Sequence, residues 1–325
     1  MKRKALLIPM ILIMIVAGIT ITALISGNDS EKAEADKPYV LSMTASVQIP
    51  DEVTFAGESM TTERYDIRER LDRELNMFTY MHSSTMLLIK RANRIFPIIE
   101  PILKRNGIPD DMKYLAVIES SLDTDAKSPA GAIGLWQFMS STAKEFGMEV
   151  TSEVDERYNI EKSTISACRF LKNAYAKYGS WSAASMSYNG GMSRITTALS
   201  NQEVEEATDL WLVQETTRYY YRMLAAKLIF ENPRDYGFVL KANQLYKPIE
   251  FKEVKVSTSI PNLVTFAKQN GLTYAQLKDF NTWLRDDKLT NRNGKTYTIL
   301  IPTEESLYYK KGEKFKIHNL NWASP

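Results

Sequence analysis

Thiol and imidazole are nearly missing from this 325-residue chain. A single cysteine, Cys168, excludes an intramolecular disulfide and any metal cluster built on cysteine. With only His82 and His318, a histidine metal centre or a His-dependent triad has too few parts. An excess of one charge is lacking too: 41 Lys and Arg stand against 39 Asp and Glu, so no global field gathers nucleic acid. Chemistry here falls to carboxylates, hydroxyls and amides, with no metal and no cofactor expected.

One long apolar run is present, and it comes first. Lys2-Arg3-Lys4 precedes an uncharged stretch from Ala5 to Ile25, close to the ~20 residues that span a bilayer. It ends Ala23-Leu24-Ile25-Ser26-Gly27 without a clear small-x-small cleavage site. An uncleaved anchor is the expectation, with a cleaved signal as the alternative. The basic residues would hold the N-terminus in the cytoplasm and place the rest outside the inner membrane. From Asn28 to Met60 there is mixed charge, no periodicity, and Pro38, Pro50 and Gly57, which reads as a linker.

The candidate chemistry centres on Asp110 to Ser120. Pro109 followed by two acids is a favourable helix start. Five apolar residues, Tyr114 to Ile118, then predict a helix apolar nearly all round and therefore buried. Glu119 closes the run in line with Met112, Leu115 and Ala116, so its carboxyl points into packed surroundings. Burial penalises the charged form and moves such a carboxyl toward roughly 6–7, suited to proton donation near neutral pH. A buried Glu paired with Arg or Lys for structure is the bland alternative on this helix alone.

The neighbouring segments also read as helix and loop. Ile67, Leu71, Leu75 and Phe78 form one helical stripe, and the charges from Glu63 to Glu74 are expected on its solvated face. A second helix over 86–96 should break at Pro97 and Pro101. Gly131 to Met139 is a loop of small residues that turns apolar around Gln137; Trp136 beside it suits a groove for a polar ligand. Cys168 lies on the core stripe of a helix beginning at Ser163. Trp181 opens a small-residue helix ending Tyr188-Asn189-Gly190-Gly191, and Gln214-Glu215 opens a long one. The pattern changes near Gln244: strands at 253–257 and 295–301 enclose two short helical patterns, a βααβ module. The tail beyond Pro302 is basic, aromatic and unpatterned.

Five segments in order resemble the lytic transglycosylases, most closely the membrane-bound murein transglycosylase D type. They are Ile108-Pro109 with Tyr114-Leu115-Ala116 and Glu119-Ser120; Gly131 to Met139; Asp155-Glu156-Arg157; Ser187 to Gly191; and Glu215-Thr216-Thr217-Arg218-Tyr219. The resemblance implies a mainly α fold: a lysozyme-like helical catalytic domain with a small α+β, LysM-like C-terminal module. It divides the chain into an anchor or signal at 1–26, a linker at 27–60, a catalytic domain at 61–245, the module at 246–302 and a tail at 303–325. It implies Glu119 as the single catalytic acid/base, with Ser120, Gln137, Met139, Tyr188, Asn189 and Glu215 binding substrate. The substrate would be the glycan strands of peptidoglycan, cleaved to 1,6-anhydromuramoyl ends. Implied partners are the membrane, through the N-terminal helix, and proteins of cell-wall synthesis or division. The module departs from the LysM pattern, with Ser257 to Pro261 where a Gly-Asp-Thr-Leu motif is usual. Glycan binding is expected of it, with a structural brace as the alternative. The rival functions are a water-using muramidase, which needs a second carboxylate opposite Glu119, and a non-catalytic peptidoglycan-binding scaffold.

Overall fold

A two-residue turn joins the first two strands of the fold. In the computed structural model, which describes residues 45–323, strands β1 (Glu52–Phe55) and β2 (Glu58–Thr61) pair antiparallel with Phe55 opposite Glu58. Ala56 and Gly57 both have positive φ, 54° and 86°, the twist a tight hairpin requires. Val53 and Phe55 point inward, and Phe55 meets the Tyr220 ring edge-on at 5.6 Å. Part of the stretch expected as linker is thus a packed hairpin. The Val-x-Phe alternation was its signal, too short to stand out from the mixed charge around it.

Helix α1 (Tyr65–Tyr80) buries Ile67, Leu71 and Leu75 as their spacing predicts. It also buries Glu74, against expectation. Helix α2 runs unbroken from His82 to Arg105, through Pro97 and Pro101. The two prolines sit four residues apart, so the ladder loses bonds on one side only. Phe96, Ile99, Ile102 and Leu103 are buried on the core side and hold the helix together across the gap. The Asn93 side chain, also buried, donates to the Tyr246 carbonyl at 2.9 Å and accepts from the His318 amide at 2.8 Å. Tertiary packing overrides the local breaker here.

A turn at Gly107 and a short 3-10 segment, Asp110–Met112, lead into α3 (Lys113–Ser120). Tyr114 to Ile118 are all buried, so α3 is the central helix that the apolar run predicts. After the loop come α4 (Ser140–Glu145), α5 (Ile160–Tyr178), α6 (Trp181–Gly190), α7 (Met192–Gln202) and α8 (Gln214–Glu231). Helix α3 packs between α2 and α8, and α8 also meets α1 and α6. Cys168 is buried in this core.

The C-terminal module is β3 (Phe251–Val256), α9 (Leu263–Gln269), α10 (Tyr274–Phe280) and β4 (Tyr297–Pro302), the two strands antiparallel with Val256 opposite Tyr297. This is the βααβ order read from the pattern, in a chain that is otherwise mainly helical. Its core is not self-contained: Ile133, Val154 and Tyr158 of the helical part pack with Leu263, Leu277, Leu284 and Ile299. Module and helical part form one compact unit. The tail, expected to be unpatterned, carries a short helix, α11 (Glu304–Leu307), and returns to the helical core. There the Trp322 indole donates to the Phe230 carbonyl at 2.7 Å and meets Phe96 edge-on. Among the described residues no helix is long and apolar enough to cross a membrane. The expected anchor lies outside them.

Candidate active site

Helix α3 delivers Glu119 at its last turn, where the chain leaves the helix through two left-handed residues, Ser121 and Leu122 (φ 56° and 55°). Glu119 itself is partly buried, at the edge of the core that buries the rest of α3. The Tyr219 hydroxyl, on a side chain only 3% exposed, donates to Glu119 Oε1 at 2.5 Å. Burial raises the Glu119 pKa from 4.5 to about 7. The Tyr219 hydrogen bond and the positive charge of Arg222 act against that rise, and the negative charge of Glu215 adds to it. The group is therefore an acid at neutral pH that can become a base.

Beside it, α1, α2, α3 and α8 enclose a cavity of about 450 Å³ lined by Glu74, Phe78, Val117, Ile118, Ser121, Glu215, Arg218 and Arg222, among others. Glu74, 1% exposed, accepts from Arg218 Nε at 2.7 Å, from Arg218 Nη2 at 3.2 Å and from Arg73 Nε at 2.9 Å. That pairing answers why a carboxylate leaves the solvated face of α1: it is neutralised where it is buried. Glu215 is exposed in the first turn of α8, where a negative charge suits the helix dipole.

The loop from 128 to 139 follows α3 in the chain and is not part of the lining of that cavity. Arg157 clamps it from below, donating to the Gly131 and Phe138 carbonyls at 3.2 Å each while paired with Asp155 at 2.9 and 2.7 Å. Gly134 has φ 78°, and a Cβ there would lie 2.1 Å from the Arg157 carbonyl oxygen. Gly134→Ala should therefore cost about 3 kcal/mol or more, from overlap added to backbone strain. At Gly131, also left-handed (φ 87°) but open, alanine should cost only about 1–2 kcal/mol. Urea unfolding of both variants checks the difference; equal losses would mean the Arg157 backbone yields freely.

The expected site residues fall into different places. Tyr188, between the Phe138 and Phe170 rings, donates to the Trp136 carbonyl at 2.8 Å. Burial first, and the Glu119 charge next, hold its phenol well above the usual range, so it keeps its proton. Asn189 Oδ1 accepts from the Thr216 hydroxyl at 2.9 Å, tying the end of α6 to the start of α8. Gln137, at φ 49°, donates its amide to the Gly134 carbonyl at 2.8 Å and so shapes the loop. Met139 is exposed at the start of α4. Ser120 is buried, its hydroxyl bonded back to the Ala116 carbonyl at 3.1 Å. Trp136, expected to face the groove, is fully buried with its indole donating to Thr164 Oγ1 at 2.8 Å. Tyr219, Arg222 and Glu74 are additions that sequence reasoning did not single out. A signal existed: Glu215, Tyr219 and Arg222 are spaced i, i+4, i+7, one face of α8.

Residues 96–210 match the family model of the transglycosylase SLT domain. Residues 252–305 match the soluble lytic transglycosylase C-terminal LysM-like domain. The chain thus carries an SLT domain followed by a LysM-like domain. Among curated relatives, it is similar to membrane-bound lytic murein transglycosylase D of Escherichia coli (strain K12). The two are 28% identical over 246 residues, 74% of this chain and 52% of that protein. A putative tributyltin chloride resistance protein of Alteromonas sp. (strain M-1) is 30% identical over 124 residues, 38% of this chain and 59% of that one. Among solved structures, the 70 kDa soluble lytic transglycosylase SLT70 from Escherichia coli aligns with TM-score 0.36 at 24% identity. That alignment covers 41% of this chain and 23% of that one. The chain spans about half the length of the murein transglycosylase D it matches. The SLT match ends before α8, which supplies Tyr219, Glu215 and Arg222 to the site.

Proposed function

We propose that the chain is a murein lytic transglycosylase of the cell envelope, tethered by residues 5–25. It would cleave the β-1,4 bond between N-acetylmuramic acid and N-acetylglucosamine with Glu119 as the one acid/base. The observation that carries this reading is the Glu119 carboxyl, held protonated to about pH 7 by burial yet bonded to a tyrosine hydroxyl that steadies its ionised form.

In the first half of the reaction Glu119 gives its proton to the glycosidic oxygen as the bond to the anomeric carbon breaks. The carboxylate left behind keeps the Tyr219 hydrogen bond. In the second half it takes the proton of the muramoyl 6-hydroxyl, whose oxygen closes on the same anomeric carbon. One C–O bond breaks, one forms, the carboxyl regains its proton, and no water is consumed. The nucleophile belongs to the substrate, so its effective concentration is high without a water site. Tyr188, Gln137 and Met139 would act through the loop that flanks the sugar, Ser120 and Asn189 by fixing the helix ends around it.

Tyr219→Phe should lower kcat by about 10- to 100-fold. It should also move the basic limb of the pH profile upward, because the lost bond favoured the ionised carboxylate. A pH–rate series checks this; an unmoved limb would detach Tyr219 from the acid.

Hydrolysis is the second reading, favoured by one observation: Glu215 is a nearby carboxylate whose charge acts on Glu119. Asp123 and Asp125 do not compete for that role, being engaged by Arg91 and Arg285 on exposed faces. Digestion of purified murein by Glu119→Gln and Glu215→Gln separates the readings. The transglycosylase requires that only the first abolish release of soluble fragments. Equal loss in both would favour a two-carboxylate muramidase.

A further inference from the structure

Two guanidinium groups of α8 line the cavity beside Glu119, Arg218 and Arg222, one turn apart. They are not equivalent. Arg218 is spent on Glu74 through two hydrogen bonds. Arg222 has, among the described residues, one hydrogen-bond acceptor, the Ile118 carbonyl at 3.4 Å, and no ion pair. The two carboxylates of the cavity wall do not serve it. Glu74 is taken by Arg218 and Arg73, and Glu215 lies two turns along the same helix, about 10 Å off along its axis. Glu119 gives Oε1 to Tyr219 instead.

A guanidinium carries five donors in a fixed fork and does not shed its charge. Left half-buried with one long bond to a neutral carbonyl, it has donors and charge to offer a planar anion. We propose that Arg222 receives a carboxylate of the substrate, carried on the muramoyl residue as a free lactyl carboxyl or as a carboxyl of the peptide stem. The proposal rests on the murein reading above and adds to it the feature of the strand that is recognised.

Such a contact reaches the acid as well. The groups whose charge or hydrogen bonding acts on Glu119 are Tyr219, Arg222 and Glu215 from α8, and Tyr188 from α6 is itself under the Glu119 charge. Of these Arg222 is the cation, and it favours loss of the proton from Glu119. A carboxylate paired with Arg222 would cancel that field and strengthen the acid's hold on its proton when the strand is in place. Recognition and readiness to donate would then be coupled through one side chain.

The test compares the full chain with Arg222→Gln and Arg222→Lys on four soluble glycans of equal length. The first pair lacks peptide, with the lactyl carboxyl free or amidated. The second pair bears stems, with stem carboxyls free or amidated. The unmodified chain should lose about 10-fold or more in kcat/KM, chiefly through KM, on amidation within one pair. That pair identifies the source of the carboxylate. Arg222→Gln should show no such discrimination, and Arg222→Lys should keep part of it, since charge remains without the fork. Equal rates on all four glycans, or discrimination that survives in Arg222→Gln, would overturn the proposal. Should none of the glycans be cleaved, the catalytic reading fails separately. Calorimetric binding of the same four glycans then decides the anion site by the same pairwise comparison.

Discussion

Glu119→Gln should fold, keep its Tyr219 contact and lose about 10³-fold or more of the cleavage rate, because an amide neither gives nor takes the proton the reaction needs twice. The same variant should be more stable than the parent at high pH. The folded carboxyl titrates near 7 and the unfolded one near its ordinary 4.5. Between those values the native state holds a proton that the unfolded chain has released, so native stability falls as pH rises through that window. Glutamine has no such titration. Its advantage should grow from nothing below about pH 4.5 to about 3 kcal/mol above pH 7. Thermal melts at pH 4 and pH 8 check the sign. A variant equally stable with the parent at both would place the Glu119 carboxyl in water, not in a pocket that raises its pKa.

Removing the C-terminal module should damage the helical part and its activity together. The module was expected from the sequence to bind glycan, so that deleting residues 254–302 would weaken attachment to insoluble murein and spare cleavage of short glycans. The contacts favour the brace instead. Ile133, Val154 and Tyr158 would lose their apolar cover, each about 1.5–3 kcal/mol when fully buried. The Asp155 amide would lose the Trp283 carbonyl at 2.9 Å, and the Glu153 carbonyl would lose the Arg285 amide at 2.8 Å. Buried Glu156 would lose Lys295 at 3.0 Å, leaving a carboxylate short of a partner. These positions flank Arg157, the clamp of the loop over 131–138. Deletion should therefore lower the melting temperature by about 10 °C or more. It should also reduce cleavage of soluble and insoluble glycans alike. An unchanged melt with loss of pelleting on insoluble murein would make the module an independent glycan binder.

Much of this was legible in the residues because apolar runs speak directly about burial. Tyr114 to Ile118 forced α3 inside, and Glu119, next in line, followed it to the edge of the core. The alternation at 253–257 and 295–301 set both strands of the module. What escaped depended on partners far along the chain. Glu74 looked solvated because its answering cation, Arg218, lies 144 residues away. Tyr219 sits among three consecutive tyrosines, and nothing local says which one meets an acid 100 residues earlier. Pro97 and Pro101 are helix breakers by their own chemistry, overruled by the packing of Phe96 and Ile99. Trp136 beside Gln137 resembled a groove wall, yet its indole finds Thr164 in the core.

The central claim is that one carboxylate and an internal hydroxyl cleave the strand without water. Mass spectrometry of the soluble products from purified murein tests it most directly. Products ending in 1,6-anhydromuramic acid, lighter by one water than hydrolysis products and inert to borohydride, are the predicted result. Muramic acid ends that borohydride reduces would contradict it, and would make the enzyme a hydrolase in which water attacks opposite Glu119.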